Sequence, residues 1–165
     1  MLFRSVDTAT GAAHGIMYPM QKALYTRTSH NYAGFNTNIP DQFRMDQFET
    51  EFTKMWLKGK NNLPQLITMQ VPNDHTAGDR PEDGYIARQS FVADNDLAVG
   101  RILHFLSRTA YWKNMLVIIT EDDPQGGVDH IDAHRSVLML AGPYIKHLYD
   151  LHLPVDHLQI GRAHV

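Results

Sequence analysis

Apolar positions along the chain gather into five patterned stretches, separated by polar segments marked with glycine and proline. The first forty residues show no sustained period and are rich in Gly, Asn, Thr and Tyr, which predicts loop or irregular structure. Pro40-Asp41 then opens a helix: Met45, Phe48, Phe52, Met55 and Trp56 follow at three- and four-residue spacing, and Gly59 closes it. Such a stripe is core packing. Asn62 and Pro64 punctuate the chain before residues 65–71, which read as a buried strand. A polar loop runs from residue 72 to about residue 90. A second helix is expected over 91–107, with Ala98, Ile102, Phe105 and Leu106 on one face. Residues 115–120 form a continuous apolar run, as in a strand of a parallel sheet covered on both faces, and a third strand is expected over 136–140. Strand, helix and strand in this order predict an α/β sandwich, a mostly parallel sheet flanked by helices. No internal repeat or low-complexity linker divides the chain, so it reads as one unit.

Composition narrows the function classes. With 43% hydrophobic and 20% charged residues, the chain has the make-up of an ordinary globular protein. A net charge of -3 and a pI near 6.3 provide no basic field for nucleic acid and no polybasic patch for a membrane surface. The longest apolar run, over 115–119, is too short to span a bilayer. There is no cysteine, hence no disulfide framework and no thiolate metal site. Ten histidines is a high number for 165 residues, and several stand beside aspartates in loops.

Both ends read as foreign. Residues 1–5 and 160–165 can each be encoded by DNA resembling a sequencing adapter, and the second string begins with the reverse complement of most of the first. The native protein is therefore expected to extend beyond both ends, with residues 6–159 as the C-terminal portion of one domain.

Two loops carry the candidate chemistry. In open α/β sheets ligands gather at the carboxyl ends of strands, and both loops leave expected strands. The first contains Asp74 and His75, the second Asp122, Asp123, Asp129, His130, His134 and Arg135. Adjacent carboxylates at a strand end repel each other unless a cation neutralises them. Aspartate oxygen with imidazole nitrogen suits Zn, Mn or Fe better than Ca or Mg. Pro124, Gly126 and Gly127 allow a sharp turn that returns His130 or His134 to the same place. The second loop lacks the alternating oxygen spacing of an EF-hand. Solvated loops whose aspartates make turns and caps are the plain alternative. The co-occurrence of Asp74, His75, Asp122, Asp123 and His134 favours metal.

The stretches LPQLITMQVPNDHTAG, VADNDLAVGRIL, YWKNMLVIITEDDPQGGVDHIDAHRS and AGPYIK together resemble bacterial phosphoesterases of the alkaline phosphatase superfamily, in the branch sometimes fused to a β-propeller. The likeness spans residues 32–146. It implies two divalent metals, Zn or Mn, held over a Ser or Thr nucleophile at the carboxyl ends of a mostly parallel sheet. By that resemblance Asp74 and His75 are ligands of one metal, closed by His134, and Asp122 and Asp123 belong to the second. Asp123 stands where relatives more often have His, which would make that site harder and richer in oxygen. By the same resemblance Asp129 and His130 are implied to orient the metal ligands or to contact the phosphate. Arg135 is either a bidentate phosphate ligand or half of a structural salt bridge.

Nothing before Tyr32 matches the superfamily's nucleophile segment, and Thr76, Thr120 and Ser136 do not stand at its position. The nucleophile is therefore expected outside this chain, and the chain alone is expected to be inactive. The resemblance implies hydrolysis of a small-molecule or lipid phosphate ester by the parent enzyme, in the periplasm or outside the cell. A sulfatase or mutase of the same superfamily, or a non-catalytic metal-binding or interaction module, are the alternatives.

Overall fold

A computed structural model describes residues 3–6, 13–16, 21–121 and 137–145. The chain divides into two compact units, Met1–Ile102 and Leu103–Val165. In the first, β1 (Phe3–Val6) pairs antiparallel with β2 (Ala13–Ile16), Phe3 opposite Ile16 and Val6 opposite Ala13. A short helix α1 (Lys22–Tyr25) follows. The expected irregular start thus contains a hairpin, because strands of four residues are too short to display a period.

Helix α2 (Asp41–Phe52) begins where the sequence places it. Pro40 precedes it with φ −57°, a helix-compatible value, and Asp41 sets a carboxylate against the positive end of the helix dipole. Met45, Phe48 and Phe52 are buried, as the stripe predicts. Beyond Phe52 the backbone winds into a π-helical turn (Thr53–Leu57), and the added residue rotates the stripe out of phase. Met55 therefore faces solvent at 38% exposure. Trp56 still packs edge-on against Phe52, with ring centroids 5.0 Å apart. Gly59 ends the element for a steric reason: a Cβ there would run into the carbonyl oxygens of Lys54 and Met55.

Helix α3 (Arg88–Ser107) starts one turn earlier than its apolar pattern suggests and crosses the boundary between the units. Its buried residues include Phe91, Ala98 and Leu106, while Val92 and Leu97 are exposed and Ile102 and Phe105 are half-buried.

The expected mostly parallel sheet is not what the described residues form. Residues 65–71 make no strand; Leu66 is 81% exposed, and the last two carbonyls of the segment bond to side chains instead of a ladder. Tyr32 donates its hydroxyl to the Gln70 carbonyl at 2.7 Å, and Asn95 Nδ2 donates to that of Val71 at 2.6 Å.

In the second unit a 3-10 turn (Trp112–Asn114) leads into β3 (Val117–Thr120), which pairs with β4 (Leu138–Ala141). The pairing is antiparallel, Val117 opposite Ala141 and Thr120 opposite Leu138. Leu116 and Ile118 are half-exposed or more while Val117 and Ile119 are partly covered. Antiparallel strands tolerate one open face, and a continuous apolar run does not reveal that only one face is covered. At Gly142, with φ +148°, an added Cβ would run into the Met115 carbonyl oxygen, so a side chain would not fit. Among the described residues no helix is long and apolar enough to cross a membrane.

Candidate functional site

The loop carrying Asp74 and His75 belongs to the first unit and is a 3-10 turn, Pro72–His75. Proline at its first position pre-sets the backbone, and Val71 leads in with extended angles. Asp74 Oδ1 accepts the His75 backbone N–H at 3.1 Å. Asp74 is half-buried and His75 exposed.

His75 Nδ1 lies 3.2 Å from the Thr76 carbonyl oxygen. A carbonyl only accepts, so this bond requires the proton on Nδ1, and a neutral ring then carries its lone pair on Nε2. That is the arrangement in which a metal-binding histidine is usually held. The imidazole also meets the Phe35 ring edge-on, with centroids 5.2 Å apart. Thr76 closes the turn at φ +62°, ψ 170°, a region populated almost only by glycine. A β-branched residue held there stores strain of about 1–3 kcal/mol, which persists only where the surroundings over-determine it.

Those surroundings are a buried polar network that the sequence reading did not assign. Asp41, Arg44 and Asn73 are all fully buried. Asp41 Oδ2 accepts the backbone N–H of Asn73 and the Nδ2 of Asn95, both at 3.0 Å, while Oδ1 pairs with Arg44 Nη1 at 3.0 Å. Asp94 Oδ2 accepts from Asn73 Nδ2 at 2.6 Å, from Tyr85 Oη at 3.1 Å and from the Asp41 backbone N–H at 2.7 Å. Gln42 Nε2 donates to Asp94 Oδ1 at 3.0 Å. Val71 and Asn73, the residues that lead into the turn, are thereby fastened to both α2 and α3. The signal for this was present in Asp94-Asn95, two polar residues near the start of an amphipathic helix, but polarity alone does not name a partner.

Burial pushes the Asp41 carboxyl up, opposed by the Asn73 N–H, Asn95 and the Arg44 charge; burial pulls Arg44 down, opposed by Asp41. Burial also raises the Tyr85 hydroxyl, reinforced by the charge of Asp94 and the hydrogen bond to it, against the opposing charge of Arg80. Tyr32 is raised in the same way, by burial first and with Arg44 opposing. These two shifts set an alkaline limit. Unfolded tyrosines lose their protons near pH 10.0, while the folded chain keeps both. The unfolded state then binds fewer protons, so stability falls as pH rises above that value. Urea midpoints measured from pH 9 to about pH 11 are expected to decline, and the Tyr32→Phe/Tyr85→Phe variant to decline less steeply. Parallel slopes would remove these tyrosines as the cause.

Of the residues singled out in the sequence, the structure brings Asp74 and His75 together in one turn. Asp122, Asp123, Asp129, His130, His134 and Arg135 lie outside the described residues. Among the described residues no three His, Asp or Glu side chains gather around a common ion position. The donor chemistry of the turn nevertheless fits a divalent transition metal: one carboxylate, and one imidazole whose Nδ1 is bonded to a carbonyl. Compared with protein-family models, with curated proteins and with solved structures, the chain matches none.

Proposed function

We propose that this chain supplies the metal-binding half of a divalent-metal-dependent phosphoesterase resembling the alkaline phosphatase superfamily. The observation that carries the reading is the His75 ring, bonded through Nδ1 to the Thr76 carbonyl in the turn that also carries Asp74. The reading rests on site residues and not on sheet topology, since chemistry is carried by sites and not by folds.

Asp74 and His75 would hold one Zn or Mn ion with His134, and Asp122 and Asp123 a second. Asp129 and His130 would orient these ligands or contact the phosphate, and Arg135 would grip a phosphate oxygen. Bound metal supplies charge neutralisation for the attacking and leaving oxygens of an in-line displacement. The chain's own part is to hold its carboxylates and imidazoles ready. The nucleophile is assigned to a segment of the parent enzyme outside this chain. The substrate class is a small-molecule or lipid phosphate ester, and the setting periplasmic or extracellular.

Calorimetric titration of the 165-residue chain with Zn²⁺ and with Mn²⁺ tests this. Wild type is expected to bind. His75→Ala and Asp74→Ala are each expected to lose more than the roughly 10–100-fold that removal of an outer partner costs. In the longer parent protein, hydrolysis of an aryl phosphate should disappear with a chelator and with His134→Ala. Binding that survives His75→Ala would sink the site. Metal binding without turnover of any phosphate ester by the parent would instead favour the non-catalytic module.

A further inference from the structure

We infer that Asn73 is a positioning residue, which with Asp94 fixes the turn that presents Asp74 and His75 to a divalent cation. This rests on the metal-binding reading above and adds to it a residue that touches neither metal nor substrate.

Three observations converge on Asn73. It stands immediately before Asp74 and is fully buried. Its main chain and side chain are held by different elements: the backbone N–H by Asp41 of α2 at 3.0 Å, and Nδ2 by Asp94 of α3 at 2.6 Å. Its carbonyl accepts the Thr76 N–H at 3.0 Å, so the same residue closes the turn around Asp74 and His75. Fixing one residue from both helices sets where the next two side chains point.

The amide also carries a cost that packing alone does not explain. Nδ2 faces the Asp94 carboxylate, which fixes the amide orientation. Oδ1 is left buried with no hydrogen-bond partner among the described residues. Buried acceptors are nearly always satisfied, and the exceptions call for an explanation. Here the tolerated loss accompanies a charge-assisted bond that locks the turn, next to a threonine held in a glycine-like conformation. A loop ordered beforehand does not have to be ordered when the ion arrives, and the whole of that saving appears as affinity.

The test is Zn²⁺ titration of the 165-residue chain as wild type, Asn73→Ala, Asp94→Asn and Phe52→Leu. Circular dichroism and thermal midpoints in chelator accompany each. Phe52 is a buried residue at the far end of α2 and serves as a control for stability alone. Asn73→Ala is expected to bind Zn²⁺ about 10–100-fold more weakly while remaining folded. Asp94→Asn should shift in the same direction by less, and carries the test if Asn73→Ala does not fold. Phe52→Leu should melt lower yet bind as wild type. Unchanged affinity in both site variants overturns the inference, as does an equal loss in Phe52→Leu, which would tie affinity to stability. Wild type that binds no Zn²⁺ overturns the proposed function itself, and this inference with it.

Discussion

Arg44→Ala is expected to cost about 3–5 kcal/mol of unfolding free energy, the usual consequence of leaving one member of a buried ion pair without its partner. Arg44 is fully buried and spends all its donor groups inside the protein. Nε donates to the Ala33 carbonyl at 3.0 Å, Nη1 to Ile39 at 2.7 Å and to Asp41 Oδ1 at 3.0 Å, and Nη2 to Gly34 at 2.6 Å and to Asn36 at 3.0 Å. The segment from Ala33 to Ile39 has no regular structure, so this guanidinium stands in for the ladder those carbonyls would otherwise need.

Alanine removes the fork and takes one donor from each of four carbonyls and from the Asp41 carboxylate. The Asn36 carbonyl keeps the Ile39 N–H and Asp41 keeps Asn73 and Asn95, so the main loss falls on the other carbonyls and on the unpaired buried charge. Lysine keeps the charge but not the planar fork, so Arg44→Lys should recover only part of the loss. Urea unfolding followed by circular dichroism measures both. A loss under about 1 kcal/mol for alanine would mean that water replaces the guanidinium and that the network is not an organising element.

The second large effect is expected at Phe91. The ring is fully buried, stacks on Tyr85 with centroids 4.2 Å apart, and lies 5.2 Å from the Arg80 guanidinium, which also covers Tyr85. Phe91→Ala removes a large apolar side chain and leaves a cavity, at a cost of about 3–5 kcal/mol. It also removes the surface against which Tyr85 is held, and Tyr85 donates its hydroxyl to Asp94. The loss should therefore extend into the polar network, and near-ultraviolet circular dichroism should change along with the urea midpoint. Phe91→Leu refills most of the volume and should cost clearly less. Equal costs for Leu and Ala would point to the aromatic stack rather than the cavity as the main term.

Part of this molecule was legible in the residues alone. Asp41 as a helix start, the Met45, Phe48 and Phe52 stripe and the stop at Gly59 follow from spacing, proline chemistry and the absence of a Cβ. These are local rules, and local rules survive when the tertiary partners are unknown. The π-helical turn at Thr53–Leu57 was not legible, since nothing in the side-chain order marks the switch that turns Met55 outward. The strands of the second unit were placed almost correctly along the chain but with the wrong direction of pairing, because apolar content reports burial and not direction. Residues 65–71 carry the composition of a strand yet bond through Gln70 and Val71 to side chains. β-propensity describes fit to a pleated neighbour, and only the fold supplies the neighbour.

The candidate turn divides in the same way. By itself the sequence determined that Asp74 and His75 stand together in a loop and that their donor atoms suit a transition metal. Residue order places the two side by side, and the short 3-10 turn holds both; the metal belongs to the proposal. Only the tertiary structure decided that Asp41, Asn73, Asp94 and Asn95 close on one another across two helices. Their separations along the chain, such as 53 residues from Asp41 to Asp94, carry no periodic signal. A polar residue becomes a structural partner only when burial removes the water that would otherwise satisfy it.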